Sequence, residues 1–151
     1  MHHYRSTHKA YSTRNRGDTA KGVGCSLCES IEPTQIVQET STMQVIRNRV
    51  PYDVFDALRT TGRHYMIVPK RHVSSISEFT DTEKIEMVNL LAEYEAEGFS
   101  IYARSKSNIH RSQPHQHTHL IELTKNEPRL MFYSAKPYLL VTTKGRTLHK
   151  Q

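Results

Sequence analysis

Several short segments of the chain have apolar residues that alternate with polar ones or run together, and this pattern predicts a β-sheet. The segments are Met43 to Asn48, Tyr65 to Val68, Phe99 to Arg104, Arg129 to Ser134 and Tyr138 to Thr143. Pro69 is expected to end the second segment, because proline has no N–H to donate to a strand ladder. The stretch from Asp53 to Arg63 lacks the pattern and is predicted to be a loop.

One segment has the periodicity of an amphipathic helix. Thr80-Asp81-Thr82-Glu83 is a capping box, and Gly98 is expected to end a helix over about 81 to 97. We expect its apolar side chains to belong to the core and not to a cofactor site. They are Ile85, Val88 and Leu91 in one stripe, widened by Met87, Leu90 and Tyr94.

Together these elements predict an α+β fold, an antiparallel sheet of about five or more strands with one long helix on a face. The 151 residues suffice for one such domain. We place it at 25–143. Residues 1–24 are basic, lack apolar periodicity and are expected to be a disordered tail, and 144–151 form a second basic tail.

The net charge of +6 and the pI of about 9.4 favour anionic partners, although much of the charge lies in the two tails. The tails could therefore contact RNA or DNA. No apolar run is long enough for a transmembrane helix, and the N-terminus lacks the apolar core of a secretory signal, so we expect a cytoplasmic protein. An organelle transit peptide is the alternative, because the first residues are rich in arginine and serine.

Three histidines alternate in the stretch His115-Gln116-His117-Thr118-His119, which runs into Leu120 and Ile121. On a strand they would form one row of imidazoles, because alternate residues point to the same face. Such a row is costly unless it is used, since charged rings repel and buried neutral rings need partners. A tag-like or surface histidine cluster is one interpretation; a site where imidazole acts as nucleophile, metal ligand or both is the other.

Cys25 and Cys28 form a Cys-x-x-Cys motif, which suits a redox pair or half of a zinc site. No thioredoxin-like pattern surrounds it, so the zinc half-site is favoured. Two further ligands are then needed, and His64, His72 and the three alternating histidines are candidates. Their spacing alone does not choose among them.

The His-x-His-x-His stretch followed by two apolar residues resembles the signature of the histidine triad (HIT) superfamily. The Cys-x-x-Cys motif, Asn48-x-x-Pro51 and the segment His64 to His72 resemble the same family, so the likeness covers roughly Cys25 to Leu123. The resemblance implies an α+β fold and a nucleotide hydrolase or nucleotidyltransferase acting at an α-phosphate. It also implies a nucleotide or nucleotide-conjugate substrate, and a homodimer is common among relatives.

The resemblance also implies roles for individual residues. His117 would be the nucleophile that forms a nucleotidyl-histidine, His119 would contact the phosphate, Ser112 would assist the leaving group and His64 would lie beside the triad. Asn48 would bind the ribose. A structural zinc would be held by Cys25, Cys28, His72 and His115.

The sequence departs from the family pattern just before the triad. The family usually has Gly-Gln-Ser/Thr there, and this chain has His110, Arg111 and Ser112. Arg111 could supply positive charge to a phosphate. The departure keeps two alternatives open: a non-catalytic nucleotide- or RNA-binding protein with a structural zinc, and a zinc-binding adaptor in which all the histidines serve metal.

Overall fold

In the computed structural model, the residues described are 24–29, 31–56, 58–125, 130–135 and 138–143. The helices are α1 (Ser26–Glu29) and α2 (Asp81–Ala96), and the strands are β1 (Ile36–Glu39), β2 (Met43–Arg47), β3 (Val54–Phe55), β4 (Leu58–Pro69), β5 (Phe99–Ala103), β6 (Thr118–Leu123), β7 (Leu130–Ala135) and β8 (Tyr138–Thr143). The predicted strands and the long helix are therefore present. The strand β1 and the short helix α1 were not predicted.

A six-stranded antiparallel sheet forms the body of the domain. Its order is β1-β2-β4-β6-β5, with β3 paired to β4 at one end. The central pair is β4 and β6, and the register of this pair sets Met66 opposite His119 and His64 opposite Ile121. These two strands thus carry His64 and His119, so their pairing brings the two imidazoles together.

Helix α2 covers one face of the sheet and confirms the predicted α+β architecture. Thr80 Oγ1 accepts from the backbone N–H of Glu83, and the Glu83 side chain accepts in return from the N–H of Thr80, so the predicted capping box is present. Glu83 also holds the guanidinium of Arg71, at 2.8 Å from Nη2 to Oε2. The helix start is thereby joined to the segment that follows β4.

The apolar stripe of α2 was predicted only in part. Met87, Leu90 and Tyr94 are buried in the main core, and Leu91 packs against it. Ile85 and Val88 are each 62% exposed, so the prediction that they belong to the core is wrong. Helical periodicity identifies an apolar arc, but the rotation of the helix over the sheet decides which part of that arc is buried.

The segment from Asp53 to Arg63 is not the predicted loop. Val54 pairs with Arg59 and Phe55 with Leu58, so β3 and the start of β4 form a hairpin with Asp56 in the turn at a φ of 48°. A left-handed residue in a two-residue turn suits the twist of paired strands. The short strand β3 was missed because two residues give no readable alternation.

The last two strands pair with each other as a separate hairpin, so they do not extend the six-stranded sheet. The predicted tails at 1–24 and 144–151 lie outside the described residues, except for Gly24. Among the helices that the structure describes, none is both long and apolar enough to cross a bilayer.

Candidate functional site

The three alternating histidines divide between two neighbouring sites instead of forming one row on a strand. Strand β6 begins at Thr118, so His119 lies within it while His115 and His117 lie in the segment that leads into it. The expectation that one strand carries all three is therefore wrong. The backbone N–H of Gln116 donates to the carbonyl of Val73 at 2.7 Å, and this bond lies outside the β6 ladder.

The first site gathers the four residues that the family resemblance assigned to metal. The ligand atoms of Cys25, Cys28, His72 and His115 all lie within 4.8 Å of one another. Among the described residues, no other group of this kind was found, and His117 and His119 are not part of it. The four residues come from α1, from the segment after β4 and from the segment before β6, so tertiary structure makes the choice that spacing left open.

Three of the separations within this group suit a tetrahedral metal ion. The Sγ atoms of Cys25 and Cys28 lie 3.4 Å and 3.3 Å from Nδ1 of His115, and Cys28 Sγ lies 3.3 Å from Nδ1 of His72. Tetrahedral zinc with ordinary Zn–S and Zn–N bond lengths separates sulfur and nitrogen ligands by about 3.5 Å. His115 Nε2 donates to the carbonyl of Pro69 at 2.9 Å, which leaves Nδ1 as the ligand atom.

Electrostatics at the two thiols also favour a cation. Burial and then the neighbouring Cys25 raise the pKa of the Cys28 thiol to about 11. Without a cation nearby, the Cys28 side chain is therefore a neutral thiol at pH 7, and a bound metal ion would favour its thiolate. The residues present could hold a metal, and their chemistry is that of a closed structural site.

His117 belongs to the second site, and its ring is fixed by the main chain. Nδ1 donates to the carbonyl of His115 at 2.8 Å, so the proton is on Nδ1 and Nε2 carries the lone pair. Burial, and then the positive charges of Arg111 and Arg104, lower the pKa of His117. The ring is therefore neutral at pH 7, which is the form in which imidazole is a nucleophile.

His64 and His119 form a hydrogen-bonded pair whose tautomers follow from the backbone. The N–H of Tyr52 donates to His64 Nδ1 at 3.2 Å, so the proton of His64 is on Nε2. This Nε2–H donates to His119 Nδ1 at 2.9 Å, so His119 in turn carries its proton on Nε2. His119 Nε2 lies 3.5 Å from the Tyr52 hydroxyl, and the rings of His117 and His119 are 5.1 Å apart.

Burial, and then the neighbouring imidazole of His64, lower the pKa of His119 well below its usual value. Both histidines of the pair are buried. His119 is consequently a neutral hydrogen-bond donor through Nε2, and a donor fixed in this way can stabilise negative charge on a nearby oxygen.

Asn48, the candidate ribose ligand, contacts His64. Its Nδ2 lies 3.3 Å from His64 Nδ1, the nitrogen that this tautomer leaves as acceptor, and its Oδ1 accepts from the N–H of Val50 at 3.1 Å. Asn48 thus lies at the edge of the histidine site and orients the loop before the β3–β4 hairpin, whereas its predicted contact with ribose stays a prediction.

Arg111 and Ser112 differ in how they relate to the histidines. The Arg111 guanidinium donates to the carbonyls of Ser74, Gln113 and Pro114 and to the Gln116 amide, at 2.8 to 3.1 Å. It therefore holds together the loop that carries the triad, and its charge still reaches His117. Ser112 is exposed on the same loop. Their predicted substrate roles stay predictions.

Three residues of the site were missed by sequence reasoning. Tyr52 contacts both His64 and His119, with ring centroids 4.6 Å and 5.5 Å away, and Tyr102 stacks 6.0 Å from His119. Arg104 lies 5.8 Å from the Tyr102 ring and donates to the carbonyl of His110 at 2.7 Å. Alternation placed Tyr102 and Arg104 on a strand, but only the β5–β6 register shows that Tyr102 faces His119.

The arrangement combines a nucleophilic nitrogen in a fixed orientation with a hydrogen-bond donor and positive charge. His117 Nε2 can attack an electrophilic centre, His119 Nε2–H can donate to an oxygen on that centre, and Arg104 and Arg111 supply positive charge nearby. Such a set suits displacement at a phosphoryl group.

Comparison with known proteins adds structural relatives. No family model matches the sequence, and no curated protein matches it. A HIT family hydrolase from Clostridium thermocellum is 18% identical, with 72% of this chain and 97% of that chain covered and a TM-score of 0.50. A HIT family hydrolase from Legionella pneumophila is 22% identical, with coverage of 68% and 91% and a TM-score of 0.45.

A histidine triad nucleotide-binding protein from Candida albicans is 18% identical, with 70% of this chain and 83% of that chain covered and a TM-score of 0.48. At such identities, what the C. thermocellum structure shares with this chain is the arrangement of strands and helix.

Proposed function

We propose that this chain, whose fold is that of the histidine triad proteins, is a nucleotide hydrolase or nucleotidyltransferase that acts at an α-phosphate. The observation that carries the proposal is the fixed tautomer of His117. Its Nδ1–H is held by the carbonyl of His115 at 2.8 Å, so the Nε2 lone pair is available for attack at phosphorus.

The proposed reaction has two displacements. In the first, His117 Nε2 forms a bond to the α-phosphorus while the bond to the leaving group breaks; the leaving group departs with the electron pair and takes a proton from solvent. In the second, the oxygen of water or of an acceptor forms a bond to phosphorus, the P–N bond breaks, and the proton of the attacking group is released. The intermediate is a nucleotidyl-histidine.

The other residues act on charge and position. The Nε2–H of His119 donates to a phosphate oxygen, and His64 keeps His119 in the tautomer that can do so. Asn48 binds the ribose, Arg111 contributes charge, and Ser112 assists the leaving group. The His64–His119 hydrogen bond of 2.9 Å supports this division of roles.

We further propose that Cys25, Cys28, His72 and His115 hold a structural zinc. The metal would supply a fixed link between α1 and the two segments that carry His72 and His115. Because the carbonyl of His115 accepts from the His117 ring, fixing His115 also fixes the aim of His117. The donor set and the ligand separations support this assignment.

A homodimer is also proposed, formed through the outer side of α2 and the edge strand β5. Ile85 and Val88 on the helix and Ile101 on the strand are large apolar side chains that are 62%, 62% and 42% exposed.

The basic tails are proposed to contact RNA or DNA, and the protein is proposed to act in the cytoplasm.

The test is turnover of an adenosine phosphoramidate and of a dinucleoside polyphosphate by the purified protein. We expect AMP as a product, and we expect His117→Ala to lose at least about 100-fold in kcat, because covalent catalysis loses its nucleophile. Retention of zinc and an unchanged melting temperature in His117→Ala serve as the folding control. Absence of turnover, or turnover unaffected by His117→Ala, contradicts the proposal.

A non-catalytic nucleotide- or RNA-binding protein is the second candidate. The observation that favours it concerns Arg111, which stands where the family usually has glutamine. Its guanidinium bonds to four acceptors and holds the loop before the triad. In that case nucleotide binding survives His117→Ala, and RNA binding weakens steeply with salt.

A further inference from the structure

Two aromatic side chains contact His119, and a third packs against both of them. Tyr52 precedes the β3–β4 hairpin, Phe55 lies in β3, and Tyr102 lies in β5 directly opposite His119. The Phe55 ring is nearly parallel to that of Tyr52, 6.4 Å away, and meets the Tyr102 ring edge-on at 5.3 Å. The hairpin thus places an aromatic ring on the two tyrosines that contact His119.

The hairpin holds Phe55 in a fixed position. Thr60 Oγ1 donates to the carbonyl of Tyr52, and the backbone N–H of Thr60 donates to the carbonyl of Asp53 at 3.1 Å. On the other side, the N–H of Thr124 donates to the carbonyl of Arg59 at 2.8 Å. Bonds on both sides tie the hairpin to the loop before it and to the end of β6.

The two residues of β3 point to different environments, as neighbours on a strand do. Val54 is buried and anchors the hairpin to the sheet, whereas Phe55 and Tyr102 are only half-buried. Both residues therefore keep some exposed surface beside the histidine site. Arg104 lies over the Tyr102 ring at 5.8 Å and brings positive charge to the same place.

We propose that Phe55 stacks on a planar ring of the substrate, with Tyr102 lining the edge of the same surface, so that the β3–β4 hairpin sets the substrate specificity of the His117 site. The inference rests on the proposed function and names the substrate feature that the site selects. A planar ring gains from stacking on aromatic side chains whatever its substituents. The ring is either the base of the transferred nucleotide or a ring in the leaving group.

Binding to a His117→Ala protein tests the inference, because binding in that variant does not depend on catalysis. The probes form two pairs, and the members of each pair differ by one base or by the nucleoside that carries it. AMP and ribose 5-phosphate differ by the base, and diadenosine tetraphosphate and adenosine tetraphosphate differ by the second nucleoside. Dissociation constants are measured by calorimetry for each probe, with Phe55 and with Phe55→Leu.

In one pair, we expect Phe55→Leu to reduce the preference for the member with the additional base by about tenfold. Loss in the first pair assigns the surface to the base, and loss in the second pair assigns it to the leaving group. Preferences that change less than about twofold in both pairs, or no binding of any probe, overturn the inference.

Val54→Ala is the matched control, because it weakens the packing of the same strand without removing a ring. It should lower the melting temperature and leave both preferences unchanged; a shift equal to that of Phe55→Leu would overturn the inference. Absence of turnover in the unmodified protein, with the ring preference intact, would contradict only the proposed catalytic function.

Discussion

At the scale of single residues, backbone contacts decide which nitrogen carries the proton in His117 and His64. A carbonyl fixes the proton of His117 on Nδ1, and the N–H of Tyr52 fixes the proton of His64 on Nε2. Through His64 the same constraint passes to His119. His117 thereby carries its proton on Nδ1, whereas His64 and His119 carry theirs on Nε2, and the side chain alone carries no such information.

The buried His119 makes the stability of the fold depend on pH. The unfolded histidine has a pKa near 6.5, and burial lowers the native pKa well below that value. In the window below pH 6.5, the unfolded chain therefore binds a proton that the native ring does not, so stability is full above that pH and falls as the pH falls through the window.

We expect His119→Asn to reduce this pH dependence of the free energy of unfolding. One group contributes at most about 1.4 kcal/mol per pH unit. Urea unfolding at pH 7.5, 6.5 and 5.5 measures both proteins at equal zinc content. If the free energy of unfolding changes with pH by the same slope in the unmodified protein and in His119→Asn, His119 does not titrate as its burial requires.

At the scale of secondary-structure elements, the helix α2 illustrates how far a pattern predicts packing. Its bounds and its capping box were predicted correctly, because both are local: Thr80 and Glu83 bond to each other's backbone. The buried side of the helix was predicted only in part, because Ile85 and Val88 are as apolar as the core residues. Which of them is buried depends on how the helix lies over the sheet.

The observed burial of the apolar side chains of α2 predicts a large loss of stability at one position and a small change at a nearby one. Leu90 is 2% exposed, so Leu90→Ala should destabilise the fold by about 2–5 kcal/mol through lost burial and a cavity. Val88 is 62% exposed, so Val88→Ala should change the stability of the monomer by less than about 0.5 kcal/mol.

Chemical denaturation at low protein concentration gives both free energies. Equal losses for the two variants would mean that the helix is rotated from the position described. If Val88→Ala costs stability only at high protein concentration, the residue belongs to the proposed dimer interface.

At the scale of the whole molecule, the four cysteine and histidine ligands connect parts of the chain that are far apart in sequence. Cys25 and Cys28 lie in or beside α1, His72 follows β4 and His115 precedes β6. Such a link would couple the N-terminal segment to the segment whose carbonyl orients the His117 ring. Metal binding and folding are then linked, since a ligand that binds only the native state stabilises it.

We expect one zinc per chain, lost in Cys25→Ser and kept in His117→Ala. Removal of the metal by a chelator should lower the melting temperature and reduce turnover, because His115 is no longer held. Elemental analysis and thermal denaturation measure the two effects. More than one zinc per chain, with His117 required, would instead indicate an adaptor in which all the histidines bind metal.

The sequence by itself determined most features that depend on near neighbours: five of the strand segments, the long helix with its cap, the α+β class of the fold, and the alternating histidines. Through resemblance, it also assigned Cys25, Cys28, His72 and His115 to one metal and His117 to another role.

Only the tertiary structure decided what depends on register and on hairpin geometry. It showed that the strand begins after His117, that the segment from Asp53 to Arg63 is a hairpin, and that Tyr52, Tyr102 and Arg104 surround the histidines. The physical reason is that contacts between strands are set by pairing across the sheet, and residues that pair in this way have no fixed spacing along the chain.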